Sequence, residues 1–169
     1  MDEVGRLIET FQIRAASSVR AKTDVLLDLE RLRDPRVVPF LLGVLADTHE
    51  AIPVRIHVLK RLRNGNLTAV ERPAVAKVML RILSEDSSAD LRMQALLALA
   101  EFTDVDGVPA TLGGLTLDAE EQVDVRFSAF TSLQRAGATS ECVAVLRQLL
   151  TDDAFGPSAR HVLSLWRLD

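Results

Sequence analysis

Apolar residues recur along the chain at the three- and four-residue spacing of helices that bury one face. The clearest case is a pair of segments, "ADLRMQALLAL" (residues 89–99) and "VDVRFSAFTSL" (residues 123–133). Both carry Asp, an aliphatic residue, Arg, a small residue and Leu at the same places. Because residues three, four and seven apart share one face of an α-helix, the pattern predicts an all-α fold built from similar helices.

The recurring mark is an aliphatic or small residue followed by Arg. It occurs at Val19-Arg20, Val54-Arg55, Leu91-Arg92, Val125-Arg126 and Ala159-Arg160, with steps of 35, 37, 34 and 34 residues between the arginines. Three positions after each Arg come Thr23, Val58, Ala95, Ala129 and Leu163. Seven positions after the first four come Leu27, Leu62, Leu99 and Leu133, whereas the fifth has Arg167. A fixed period of this length is typical of helical repeat proteins.

A second helical pattern follows each of the first four arginines: "VVPFLLGVL" from Val37, "AVAKVMLRIL" from Ala74, "GVPATLGGL" from Gly107 and "CVAVLRQLL" from Cys142. Each unit is therefore expected to hold two helices. The predicted helices span 2–14, 18–32, 34–47, 51–63, 72–84, 88–102, 106–116, 121–136, 139–151 and 156–167.

Turn and capping residues separate the predicted helices. Asp34-Pro35 predicts an N-cap followed by Pro at the first helical position, and Asp90 and Asp124 are expected to be N-terminal caps. The "NGN" at 64–66 predicts a break. Gly113-Gly114 predicts that the helix around it is short or frayed, since each Gly costs about 1 kcal/mol relative to Ala.

These motifs resemble the HEAT repeat, in particular the short bacterial form known from phycobilisome lyases. The resemblance implies a right-handed α-α superhelix, a single-domain HEAT-repeat solenoid of about four and a half units. The expected repeats are 17–50, 51–87, 88–121 and 122–155, with a half repeat at 156–169. Residues 1–16 are expected to form an N-terminal capping helix through Val4, Leu7, Ile8 and Phe11. The alternative is a partner-binding amphipathic helix.

Composition narrows the function classes. The 169 residues carry a net charge of −4, with one Trp and no Tyr, so the core must be aliphatic. An acidic chain is a poor general binder of nucleic acid phosphates. Cys142 is the one cysteine, which excludes an internal disulfide and a cysteine-based zinc site. The start "MDEVGRLIETF" lacks the features of a secretory signal, and no apolar run is long enough for a membrane span, so the expected location is the cytoplasm.

The residues most often used in catalysis have structural explanations here. A group that recurs in every unit suits packing better than catalysis, so the repeated arginines are interpreted as a structural ladder: Arg20, Arg55, Arg92, Arg126 and Arg160. His49, His57 and His161 lie in different units and share no metal-ligand spacing. Cys142 is interpreted as a small buried residue at the start of an apolar helix face. The alternative is a reactive thiolate that is stabilised by its position at a helix start. No catalytic, metal or cofactor residues are predicted.

Charged residues are expected at both edges of the helical stack. Acidic residues fill the turns between units, and capping explains them, with an acidic strip for a basic partner as the alternative. The turns within the first two units are basic, and they form the candidate binding surface: Arg31, Arg33, Arg36, Lys60, Arg61, Arg63 and Arg72. Of these, Arg31, Arg33, Arg36, Arg61 and Arg63 are expected to form one contiguous positive surface. Ordinary helix-end charge is the alternative.

The sequence therefore favours a non-catalytic protein-interaction module or scaffold whose partner offers an acidic segment. Self-association through the C-terminal helix is a further expectation, because Val162, Leu163, Leu165 and Trp166 have no predicted helix to cover them. The resemblance keeps open a bilin lyase-like enzyme and an alkylpurine DNA glycosylase-like enzyme. A nucleic-acid-binding accessory that uses the basic edge is the remaining alternative.

Overall fold

The computed structural model describes residues 1–14 and 18–169. Across these two ranges the chain forms ten α-helices and one short 3₁₀ segment, and no β-strand. The helices are α1 (Glu3–Arg14), α2 (Val19–Glu30), α3 (Val37–Ala46), α4 (Ile52–Asn64), α5 (Glu71–Glu85), α6 (Ala89–Leu99), α7 (Val108–Leu117), α8 (Val123–Gln134), α9 (Ser140–Leu149) and α10 (Gly156–Leu165). The 3₁₀ segment Ala100–Phe102 continues α6. The all-α prediction is confirmed, and each predicted span matches its helix to within three residues. The predicted boundary between residues 16 and 17 lies outside the described residues.

Hydroxyl side chains cap several of these helices. Ser18, Ser88 and Thr139 each accept a backbone N–H from the first turn of the helix that follows. Before α5, Thr68 and Glu71 form a reciprocal capping box: the Thr68 hydroxyl accepts the Glu71 N–H, and the Glu71 carboxylate accepts the Thr68 N–H. A missing cap costs about 1 kcal/mol, so these residues help to set where the helices begin.

Three predicted caps take other positions. Asp34 does not cap α3; its Oδ1 accepts the Arg36 N–H at 2.9 Å, in a turn that ends before the helix begins at Val37. Asp90 and Asp124 lie inside the first turns of α6 and α8 rather than ahead of them. A carboxylate is favourable there because it faces the positive end of the helix dipole.

The helices divide into two compact units, Met1–Ala95 and Leu96–Asp169, with the division inside α6. In the first unit α1 packs on α2, and α3 packs on α4. Alternate helices also pack on each other, α2 on α4 and α3 on α5. Val4 and Phe11 of α1 are buried, and the Phe11 ring meets Phe40 edge-on at 5.4 Å. Val4 and Phe11 belong to the apolar stripe predicted for this helix, and both lie in the core.

In the second unit α7 packs on α8 and on α9, and α9 packs on α10. The helix α7 is short, as expected, with ten residues like α3 and α9. It runs unbroken through both Gly113 and Gly114, so it is not frayed there. Gly113 is buried, and a Cβ at this position would lie 2.9 Å from the Val145 Cγ2. The absent side chain thus lets α7 and α9 approach closely.

None of the helices in residues 1–14 and 18–169 has the length and apolar character needed to cross a membrane.

Candidate binding surface

Arg55 of α4 is buried and fully engaged by the protein. Only 2% of its surface is exposed. Its Nε donates to the Leu45 carbonyl at the end of α3 at 2.8 Å, and its Nη1 pairs with the Asp86 Oδ2 after α5 at 2.9 Å. One guanidinium therefore ties α4 to the ends of the helices before and after it. Such a charge-assisted fork suits Arg, whose donors have a fixed geometry.

Arg126 of α8 makes the same contacts in the second unit. Its Nε donates to the Thr116 carbonyl at the end of α7 at 3.0 Å, and its Nη2 donates to the Asp152 Oδ2 in the turn after α9. The guanidinium also lies over the Phe155 ring, 4.7 Å from its centroid. The hydrogen bond from Arg126 lowers the pKa of Asp152. The Asp152 carboxylate is therefore held in its charged form at neutral pH.

Two further cations make contacts similar to those of Arg55 and Arg126. Arg92 of α6 is half-buried, and its Nε donates to the Leu83 carbonyl near the end of α5 at 2.8 Å. In α2 the buried cation is Lys22, whose Nζ binds both oxygens of Glu50, at 2.7 and 2.9 Å, and lies 5.5 Å from the Phe11 ring centroid. We call Lys22, Arg55, Arg92 and Arg126 the internal cations.

The structure places Arg20 and Arg160, the two terminal members of the predicted ladder, at exposed positions. Lys22 rather than Arg20 matches the register of the other helices, because Leu26 and Leu29 follow it at four and seven positions. Leu59 and Leu62 follow Arg55 in the same way. A pattern defined by Arg alone does not include Lys22, whereas the pair of leucines at four and seven positions identifies it.

Acidic residues in the turns are used for local structure. In the turns after α3, α5, α7 and α9, one Asp carboxylate accepts the backbone N–H two residues further on; these residues are Asp47, Asp86, Asp118 and Asp152. Such turns satisfy backbone donors that would otherwise be free at the helix end. Asp86 and Asp152 also pair with internal cations.

The histidines and the cysteine do not converge. His49 is exposed beside Asp47, His57 Nε2 lies 2.9 Å from the Glu30 Oε1, and His161 is exposed on α10. Cys142 is fully buried, which raises the pKa of its thiol to about 11. No group of three or more His, Cys, Asp or Glu with the spacing of a metal site occurs in the described part of the chain.

The seven residues of the predicted basic surface fall into different environments. Arg36 binds the carboxylates of Asp2 and Asp34, at 2.6 and 2.8 Å, and this contact raises its own pKa and lowers the pKa of Asp34 to about 2. Arg61 lies beside Glu30, with Nε 3.7 Å from Oε2. Their charge is therefore largely compensated, and they do not extend an open positive surface.

The other residues of this set differ in exposure. Arg31, Arg33 and Lys60 are exposed, and Arg63 and Arg72 are half-buried. Among residues 1–14 and 18–169, no carboxylate forms an ion pair with Arg31 or Arg33. The exposed positive charge of this set therefore lies at Arg31 and Arg33, in the turn between α2 and α3, and at Lys60 of α4.

Arg31 and Arg33 line a groove of about 710 Å³ in the first unit. The turn between α2 and α3 forms one side of this groove, and the segment from the end of α4 to Glu71 forms the other. Leu32, Val38, Leu41, Leu62 and Leu67 supply its apolar lining. We call this feature the Arg31/Arg33 groove.

The three acids of the groove already have partners. Glu30 binds His57 and Arg61, Asp34 binds Arg36, and Glu71 closes the capping box. Arg36 and Arg61 thus compensate Asp34 and Glu30, and the exposed Arg31 and Arg33 outnumber Glu71, whose charge a backbone N–H does not cancel.

The C-terminal helix is largely covered by its own unit. Val162 and Leu163 are buried, Trp166 is half-buried, and Leu165 is 67% exposed. The packing of α10 on α9 removes Val162 and Leu163 from the surface proposed for self-association, which leaves Leu165 as the exposed large apolar residue of that helix.

Comparison with protein-family models and with curated proteins gives no match for this chain.

Proposed function

We propose that the chain is a HEAT-like helical repeat that folds as a right-handed superhelix and acts as a non-catalytic protein-interaction scaffold. The observation that carries the proposal is the recurrence of one contact. Arg55, Arg92 and Arg126 each donate Nε to a carbonyl at or near the end of the preceding helix. A contact that recurs with the sequence period supports a stack of similar units, in which each helix pair is locked to its neighbour.

The same recurrence supports a structural role for the internal cations. Their donors face helix-end carbonyls and turn carboxylates, and three of the four are buried: Lys22, Arg55 and Arg126. A bound molecule would have to compete with these intramolecular partners. The surface offered to a partner therefore lies elsewhere.

The Arg31/Arg33 groove is the surface that we assign to partner binding. It combines an apolar lining with two exposed guanidinium groups, and its own acids are already paired. Aliphatic side chains of a bound segment would gain from burial in the groove, and carboxylates beside them would gain from the two arginines. The proposed partner is a protein segment that carries acidic and aliphatic residues.

A random-peptide display library, selected on the immobilised full chain at about 0.15 M salt, tests this assignment. We expect enrichment of peptides that combine Asp or Glu with Leu, Ile or Val. Binding of these peptides should fall about tenfold in R31E/R33E, chiefly through a slower association rate, because exposed charges steer encounter.

The matched control is K77E/R81E, which makes the same charge change at two exposed positions of α5. It should bind the selected peptides like the parent, and both variants should keep the parental melting temperature. Selected peptides that bind R31E/R33E as tightly as the parent would contradict the assignment. Binding of labelled single-stranded DNA or RNA that is lost in R31E/R33E would favour the nucleic-acid alternative instead.

A further inference from the structure

Phe127 of α8 is a large apolar side chain that faces solvent and is not part of the core. Its exposed fraction is 59%, and Val123, one turn earlier on the same helix face, is 65% exposed. The opposite face of α8 already supplies the core with Ala129, Phe130 and Leu133. The remaining phenylalanines are all buried or half-buried: Phe11, Phe40, Phe102, Phe130 and Phe155. An adjacent pair of large apolar side chains in water is a feature that binding surfaces share.

Val123 and Phe127 form one wall of a groove of about 610 Å³ in the second unit. Ala154, Phe155 and Ser158 supply the other side, at the turn before α10 and the first turn of that helix. We call this feature the Phe127 groove. It lies in a different unit from the Arg31/Arg33 groove and is argued from different residues.

The base of the Phe127 groove is held in place. Phe155 is buried, with the Arg126 guanidinium 4.7 Å from its ring centroid and the Phe130 ring at 5.7 Å. Asp152 Oδ1 accepts the backbone N–H groups of Ala154 and Phe155, at 2.9 and 3.0 Å. A preformed groove loses little conformational freedom when a ligand enters, so its apolar area is available for affinity.

The surroundings of the Phe127 groove are strongly acidic. The lining residues lie within residues 118–128 and 151–158. These two segments contain six carboxylates, which are Asp118, Glu120, Glu121, Asp124, Asp152 and Asp153. Their one cation, Arg126, is buried and paired with Asp152. Asp124 lines the groove itself. Five carboxylates therefore remain without a cation from these two segments, and the field at the groove is negative.

We propose that the Phe127 groove is a second docking site, which binds a protein segment that carries a large apolar side chain next to Lys or Arg. The apolar side chain enters between Phe127 and Phe155, and the cation lies beside Asp124. Charge complementarity selects this occupant, because an acidic segment or a nucleic acid phosphate would be repelled by the surrounding carboxylates. The chain would then bind an acidic segment through one unit and a basic segment through the other.

The same display selection on the full chain tests this proposal through a separate class of peptides. We expect enriched peptides that pair Phe, Leu, Ile or Trp with Lys or Arg. Their affinity should fall about tenfold in F127S and in D124K, and should be unchanged in R31E/R33E. Because the acidic and basic peptide classes depend on different variants, failure of this proposal is distinguishable from failure of the proposed function.

Two variants serve as matched controls. Leu165→Ser removes another exposed large apolar side chain, and Asp90→Lys changes the residue of α6 that stands, like Asp124, two positions before an internal cation. Both should bind the basic peptides like the parent. Melting temperatures near the parental value would show that F127S and D124K are folded.

Three results would overturn the proposal. The first is a selection with no basic-apolar peptides, and the second is basic-apolar peptides that bind F127S as tightly as the parent. The third is a concentration-dependent dimer, detected by light scattering and abolished in F127S, because a second copy of the chain would then be the occupant of the groove.

Discussion

Arg126 illustrates what a buried internal cation contributes to the helices packed around it. Its donors meet the Thr116 carbonyl, the Asp152 carboxylate and the face of the Phe155 ring. Removal of the guanidinium would leave a buried carbonyl and a largely buried carboxylate without their partner. The cost of an unpaired buried polar group exceeds the net gain of an ordinary hydrogen bond, so such a position tolerates little change.

The Arg126–Asp152 pair predicts a pH dependence of stability. The pKa of Asp152 is lowered in the folded chain, chiefly by the hydrogen bond from Arg126. The pair therefore contributes stability that is fully present above the unfolded carboxyl pKa, near 4, and is lost as the pH falls through the lower folded pKa. In urea unfolding at a series of pH values, the parent should exceed D152N in stability at pH 6. This difference should shrink below about pH 4.

The Asp152→Asn change isolates the charge, because the amide oxygen can still accept the N–H groups of Ala154 and Phe155. The control is D153N, which removes the neighbouring exposed carboxylate and should follow the parent throughout. A D152N variant that loses the same stability at pH 3 as at pH 6 would contradict the ion-pair explanation.

The Cys142 thiol is expected to be unreactive in the folded chain. Burial raises its pKa to about 11, and its Sγ lies 3.6 Å from the Leu133 carbonyl. At pH 8 only about one thiol in a thousand would be ionised, and a reagent has no access to it. We expect a disulfide reagent to label Cys142 slowly in native buffer and completely in urea. Fast stoichiometric labelling of the native chain would indicate a reactive site instead.

At the scale of helices, the two adjacent glycines of α7 have opposite predicted responses to Ala. A Cβ at Gly113 would lie 2.9 Å from the stiff Val145 side chain, whereas a Cβ at Gly114 meets nothing within 4 Å. Gly114→Ala should stabilise the chain by up to about 1 kcal/mol through helix propensity. Gly113→Ala should be about 1–2 kcal/mol less stable than G114A, because the steric clash of its Cβ with Val145 opposes the gain in helix propensity. Equal melting temperatures for the two variants would show that α7 and α9 are not closely packed.

The positions of the helices could be predicted from the sequence because their apolar stripes are regular and the turns between them are polar. The residues that cap the helices were predicted less well. Asp34, Asp90 and Asp124 are all good capping residues by type, yet Ser88 caps α6 and the Asp34 turn ends before α3. The prediction that α7 is short or frayed was right about its length, but α7 is not frayed at Gly113 and Gly114. Close packing on α9 is a tertiary contact that local propensity does not contain.

At the scale of the whole molecule, the basic turns could be predicted from the sequence. Which of their cations form ion pairs within the chain could not. Arg36 meets Asp2, which is 34 residues away, and Arg61 meets Glu30, which is 31 residues away. These pairings depend on how the helices pack. Among the residues that the structure describes, Arg31, Arg33 and Lys60 are exposed and have no such ion pair, so they are the cations of this set that remain available to a partner. The Phe127 groove had no sequence signal beyond an apolar residue at a position next to Arg126.

The central proposal is that the internal cations hold neighbouring helices together and are not a functional site. The most direct measurement is the free energy of unfolding in urea, followed by circular dichroism, for R55M and R126M against R20M and R160M. Methionine keeps much of the packing and removes the donors. The account predicts losses of about 1–3 kcal/mol for R55M and R126M. It predicts changes in the free energy of unfolding within about 0.5 kcal/mol for R20M and R160M, whose arginines are exposed. R55M and R126M that unfold like the parent but lose peptide binding would contradict it.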